Sequence, residues 1–109
     1  MMPQGDPIKG TAQSLLLFLL SQKSMYGYQI IKELEKRSAG YFKFKEGTLY
    51  PALHRLEEAD LVTGQWQLLP SGRQRKYYRI TDKGLYVLAE KRSQWRNFLL
   101  ALKSIIEPV

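Results

Sequence analysis

The chain has 109 residues, enough for one domain and too few for two independent cores. With 25% charged and 44% hydrophobic residues it has globular proportions, which excludes a disordered chain; no cysteine and one histidine exclude disulfide scaffolds, thiol catalysis and most zinc or Ser-His-Asp chemistry. Lys and Arg number 17 against 10 for Asp and Glu, and a net charge of +7 asks for an anionic partner: nucleic acid, an acidic membrane surface or an acidic protein.

Residues 1–7 hold Gly5, Asp6 and two prolines and read as a flexible lead, without the pattern of a signal peptide. The longest apolar run, Leu15 to Leu20, is far below the roughly 20 residues a membrane span needs, so the expectation is a cytoplasmic protein with no membrane partner. From Ile8 to Ser21 apolar residues recur with helical spacing, and Leu17 and Phe18 fill the far side. A helix so apolar on every side must be central or shared with a second chain. A polar break, Gln22 to Ser24, precedes a second predicted helix, Tyr26 to Ala39. Its buried stripe is Ile30, Ile31 and Leu34, and Gly40 stands where a left-handed stop belongs.

Tyr41 to Phe44 reads either as a brief strand or as an extended linker. A third helix is predicted from Glu46 to Ala59, with Leu49, Leu53 and Leu56 inward and Gly47, Pro51, His54 and Arg55 outward. Tyr50 sits on its flank, and Pro51 is placed in the first turn, where amides lack intrahelical partners. Glu57, Glu58 and Asp60 read as a solvated helix end. Leu61 to Leu69 and Arg73 to Ile80, joined by Pro70, Ser71 and Gly72, form a predicted β-hairpin. The return strand alternates Arg75, Tyr77 and Arg79 against Lys76, Tyr78 and Ile80.

Thr81 and Asp82 open a last helix that runs to Ile106, about 38 Å at 1.5 Å per residue. Leu85, Leu88, Arg92, Trp95, Leu99, Leu102 and Ile106 form a heptad seam broken only by Arg92, which either pairs across an interface or extends along it. Phe98 and Ile105 widen the stripe. A domain this small cannot cover the whole seam, so Leu88, Trp95, Phe98, Leu99, Leu102 and Ile106 are expected against a second copy.

The predicted fold is mostly α with a β-hairpin (α+β): a winged helix-turn-helix over residues 8–80 and a dimerisation helix over 81–109. In that architecture the third helix enters the DNA major groove and the hairpin touches the backbone or minor groove. The candidate recognition residues are Lys45, Thr48, Tyr50, Pro51, His54 and Arg55, and the wing contributes Arg73, Arg75, Lys76 and Tyr77. Small residues let the helix approach closely, and the cations and hydroxyls suit phosphate. The competing reading of the wing is a solvated charged face. Neither a cofactor motif nor a metal set is present in the sequence, and no catalytic constellation argues for an enzyme.

The chain resembles PadR-type transcriptional regulators, of the short branch with one dimerisation helix. The resemblance rests on residues 26–30 (YGYQI), 46–53 (EGTLYPAL), Arg55-Leu56-Glu57, 72–78 (GRQRKYY), Ile80-Thr81 and Gly84. It implies a homodimer bound to double-stranded DNA at a pseudo-palindromic operator, repressing genes until a small molecule or other signal intervenes. Some members of that branch bind flat aromatic compounds between subunits against a Trp of the last helix. Trp95 stands at that place, and rough register brings Thr11, Ser14, Phe18 and Phe98 near it. The other reading of Trp95 is plain packing at the dimer interface. The alternative for the whole chain is an interaction module that binds protein or RNA without reading DNA sequence.

Overall fold

The computed structural model describes residues 10–107. The segment 1–7 predicted as a flexible lead, Ile8 at the predicted start of the first helix, and residues 108–109 lie outside the described residues. Four helices and a small sheet follow in the order α1 (Thr11–Leu20), β1 (Met25–Tyr26), α2 (Gly27–Arg37), α3 (Glu46–Glu58), β2 (Val62–Leu68), β3 (Gln74–Ile80) and α4 (Asp82–Ile106). The sheet is antiparallel with order β1-β3-β2, which makes the chain α+β with a winged helix-turn-helix arrangement. Among the described residues no helix is long and apolar enough to cross a membrane.

α1 is the central helix that its composition requires. Leu16, Leu17, Leu19 and Leu20 are buried, and α2, α3, α4 and β3 all pack on it. Ile30 and Leu34 of α2, Leu49, Leu53 and Leu56 of α3, Val62 of β2 and Tyr78 of β3 complete one core. Each such side chain contributes roughly 1.5–3 kcal/mol through burial.

Two local features differ from the sequence expectation, at β1 and at Pro51, and one open alternative is decided, at residues 41–44. The break before α2 ends in a strand: Met25 pairs with Tyr78 and Tyr26 with Tyr77, and Ser24 Oγ donates to the Tyr78 carbonyl at 3.1 Å. Two residues are too short to display alternation, so β1 leaves no period in the sequence. Residues 41–44 form no strand, and the linker alternative holds there. Pro51 lies beyond the first turn of α3, so the Gly47 carbonyl loses its i+4 amide partner; both residues are exposed, and water can replace that bond.

α2 ends in a double hydrogen-bonded turn, with Gly40 N–H donating to the Glu35 carbonyl at 2.7 Å and Ala39 N–H to that of Lys36 at 3.2 Å. The left-handed stop thus begins at Ala39 (φ 51°), one residue before Gly40 (φ 84°). α3 closes in the same way through Asp60 (φ 60°), and Thr81 Oγ1 then donates to the Asp60 carbonyl at 2.6 Å while accepting from Gly84 N–H at 3.0 Å. Those bonds anchor the start of α4 to the end of α3.

Only Gly84 and Leu88 of α4 are buried, and the helix runs outward from the body. The radius of gyration is 15.6 Å, against about 13 Å for a compact domain of this length. Leu88 departs from the sequence reading: at 3% exposure it belongs to the protomer's own core, so it is not available to a second chain.

Gly84 is a close-approach position, because a Cβ there would overlap the Leu61 carbonyl oxygen. Gly→Ala within a helix ordinarily stabilises by about 1 kcal/mol. Here Gly84→Ala is expected to destabilise by about 1–3 kcal/mol, as overpacking does. Urea unfolding checks the sign.

Candidate nucleic-acid interface

The buried residues of α3 leave a well-defined outer face. Gly47, Thr48, Tyr50, Pro51, His54 and Arg55 are all exposed, whereas Leu49, Ala52, Leu53 and Leu56 are buried. Gly47 and Tyr50, like Pro51 and His54, are three apart, and Gly47 and Pro51, like Tyr50 and His54, are four apart, which puts all four on a single helical stripe. Exposed Lys43 and Lys45 precede it, and Lys45 is the N-cap residue. The Tyr50 ring lies against Gly27, where an added Cβ would overlap its hydroxyl, so the start of α2 and the outer face of α3 are closely fitted. His54 Nε2 is 3.4 Å from Glu58 Oε1 on the exposed surface, an ion pair only when the imidazole is protonated.

The wing is a regular hairpin in which Val62 pairs with Ile80 and Leu68 with Gln74. Its tip is closed by Leu69 N–H donating to the Arg73 carbonyl at 2.8 Å. Its cations differ in environment. Arg73 and Arg79 are exposed, and no ion pair holds either among the described residues. The Arg75 guanidinium stacks over the Tyr26 ring at 3.9 Å, and Tyr26 meets Tyr77 edge-on at 5.4 Å. Lys76 turns to the other side of the strand, where its ammonium meets Glu57 Oε1 at 3.0 Å. Glu57 is therefore half-buried and paired, not the solvated helix-end residue of the sequence reading.

Between the wing and the starts of α2 and α3 lies an open cleft of about 500 Å³. It brings together Tyr50 of α3 with Arg75 and Lys76 of the wing. Tyr28, Trp66 and Gln74 also line it, although the sequence reading does not single them out as site residues. The available signal for Trp66 is its position directly across from Lys76 in the hairpin register.

A second cavity, of about 510 Å³, separates α1 from α4. Of the residues expected there, Thr11, Phe18 and Trp95 line it. Ser14 does not: it is buried at 2% exposure, inside the body. Phe98 supports the site from behind, edge-on to Trp95 at 5.7 Å. Leu15, Phe42, Arg92, Arg96 and Leu99 complete the lining. The Arg92 guanidinium lies 5.8 Å from the Phe18 ring, so the residue that breaks the heptad extends along α1. Trp95 Nε1 and Gln94 Oε1 are enclosed without a hydrogen-bond partner among the described residues.

A basic winged helix-turn-helix with a small-residue helix face and a cationic hairpin defines a DNA-binding regulator. The model of the transcriptional regulator PadR-like family matches residues 16–90, and the chain belongs to that family, whose members are transcriptional regulators and not enzymes. It is 37% identical over 106 residues to an uncharacterised protein of Lysinibacillus sphaericus, covering 97% of this chain and 94% of the relative. It is 34% identical to the transcriptional regulator Rv3488 of Mycobacterium tuberculosis, over 71% of this chain and 68% of that one. The crystal structure of a PadR-like transcriptional regulator from Bacillus cereus superposes with a TM-score of 0.79 at 31% identity, covering 94% and 97% of the two chains.

Exposed Arg73 at the wing tip is expected to report on phosphate contact. Arg73→Met should lower the slope of log affinity against log salt by about 0.9, the value for one lost phosphate contact. Fluorescence anisotropy with a labelled duplex measures that slope, and an unaltered slope would separate the wing tip from the DNA.

Proposed function

We propose that the chain acts as a dimeric, sequence-specific DNA-binding repressor whose hold on a pseudo-palindromic operator is relieved by a flat aromatic molecule or another signal. The observation that carries the dimer is the uncovered stripe of α4, with Leu99 at 55%, Leu102 at 40% and Ile106 at 66% exposure. Monomers seldom leave so continuous an apolar surface in water. A second copy placed by a two-fold axis covers it with the same residues. Residues 8–80 then form the DNA-binding unit, and residues 81–109 the dimerisation element.

In such a dimer two α3 helices face successive major grooves about 34 Å apart. Thr48, Tyr50, His54 and Arg55 approach base edges and phosphates, with Pro51 shaping the helix and Lys45 adding charge at its start. Arg73 and Arg75 engage the backbone from the wing, and the Tyr77 hydroxyl can donate to phosphate.

The cavity between α1 and α4 suits an aromatic effector. Phe18, Phe42 and Trp95 offer ring faces and edges against which a flat molecule can stack. Phe42 belongs to the segment that leads into α3, so an occupant pressing on it shifts the recognition helix. The ligand lowers DNA affinity to the extent that it prefers the displaced arrangement.

Leu99→Glu places a charge on the uncovered stripe. Light scattering is expected to give half the wild-type mass, and affinity for DNA should fall about a hundredfold as two linked contacts become one. A variant that keeps the dimer mass would remove α4 from the interface.

A further inference from the structure

We propose that Lys76 and Glu57 form a strut that sets the wing against the recognition helix, so that Lys76 is a positioning residue and not a phosphate contact. The inference deepens the DNA-binding reading and is tested so that the two can fail separately.

Three observations converge on the pair. The ammonium is 3.0 Å from Glu57 Oε1, with the two side chains at 25% and 27% exposure. That is more enclosed than the exposed His54–Glu58 pair, at 73% and 67%. Second, the Lys76 side chain passes where Gly64 of the neighbouring strand leaves a gap: a Cβ on Gly64 would overlap Lys76 Cε and crowd Glu57 Oε2. Third, Trp66 and Tyr78 flank the ammonium, with ring centroids at 5.9 and 5.2 Å. A lysine that reads phosphate needs a mobile head in solvent. This one crosses the sheet and ends against α3.

The position of Glu57 supplies a reason for the pairing. It lies in the last turn of α3, where the helix dipole disfavours negative charge, and Glu58 adds a second carboxylate. A cation brought across from β3 compensates both effects. Burial works against the Lys76 ammonium, but the hydrogen bond to Glu57 and the neighbouring Tyr78 and Glu57 charges outweigh it, and its pKa lies above the ordinary lysine value. While Glu57 is ionised, the contribution of the Lys76 charge is complete below that ordinary value and is lost only as pH rises through the raised one, so the strut is intact throughout the neutral range.

The wing needs such a tie. β1 braces β3 only at Tyr77 and Tyr78, which leaves the outer part of the hairpin as a two-stranded ribbon. Isolated ribbons are marginal in water. Lys76 lies just past the braced residues, where a bond to α3 extends the support toward the tip.

The test uses the full chain and its Glu57→Gln, Lys76→Met and double variants in two measurements. Amide hydrogen exchange of Gln65 to Gln67 is followed without DNA. Each single variant should exchange about fivefold faster, and the double variant no faster than either single one, as for a shared interaction. Binding to a fluorescein-labelled duplex of about two helical turns is then followed between about 50 and 200 mM salt. Glu57→Gln should weaken binding although it raises the net charge, and Lys76→Met should weaken it with the salt slope unchanged. Unaltered exchange in both single variants would overturn the strut. So would tighter binding by Glu57→Gln together with a slope lowered by about 0.9 in Lys76→Met, the signature of a phosphate contact. If the wild-type chain binds no duplex, the DNA-binding reading fails, and the exchange measurement still decides the strut.

Discussion

The structure depends on the burial of α1, a ten-residue helix whose last six residues, Leu15 to Leu20, are all apolar and need cover on every side. α2, α3, β3 and α4 supply that cover, and each is oriented by it. α3 turns Leu49, Leu53 and Leu56 toward α1 and so presents Thr48, Tyr50 and His54 outward. β3 contributes Tyr78 to the same core, which seats the base of the wing. Cover is incomplete where Leu15 and Phe18 meet α4, and there a cavity opens beside Trp95. One constraint thus yields the exposed helix face, the seated hairpin and the unfinished edge that a second copy would close.

The basic residues of the wing are divided by the two faces of β3. Arg75 and Tyr77 lie on the face toward Tyr26, and Lys76 and Tyr78 on the face toward α3. A run of cations that looks uniform in sequence therefore separates into one held over an aromatic ring, Arg75, one held by a carboxylate, Lys76, and two exposed ones, Arg73 and Arg79. Affinity for a polyanion depends on the cations that release counterions on contact, so the net charge of +7 overstates what the wing alone can offer.

Much of this was legible in the sequence because the elements are long and strongly periodic. The apolar repeat and the Thr81 cap locate α4 at Asp82–Ile106, the bounds the structure has. The hairpin is readable from alternation about Pro70, Ser71 and Gly72, and the fold class follows from the order of elements. What escaped reading depends on tertiary placement. β1 has two residues and exists because β3 offers an open edge. Leu88 and Leu99 share a heptad register, yet the first meets the body and the second lies past it; only the position at which α4 leaves the core separates them. Register brings Thr11, Phe18 and Phe98 to Trp95 correctly but cannot tell that Ser14 is buried inside the body, and Phe42 reaches the cavity from a linker without periodicity. The Glu57–Lys76 pair spans 19 positions and crosses a strand, so no local pattern announces it.

In the proposed function, two copies of this chain read DNA through paired recognition helices. Selection of bound sequences from a random duplex pool, carried out at two salt concentrations, tests it most directly. The expected product is an inverted repeat whose half-sites lie about one helical turn apart and which is retained at the higher salt. Recovery of no motif, with binding lost at the higher salt, would contradict it and would leave a basic winged helix with only nonspecific affinity for DNA.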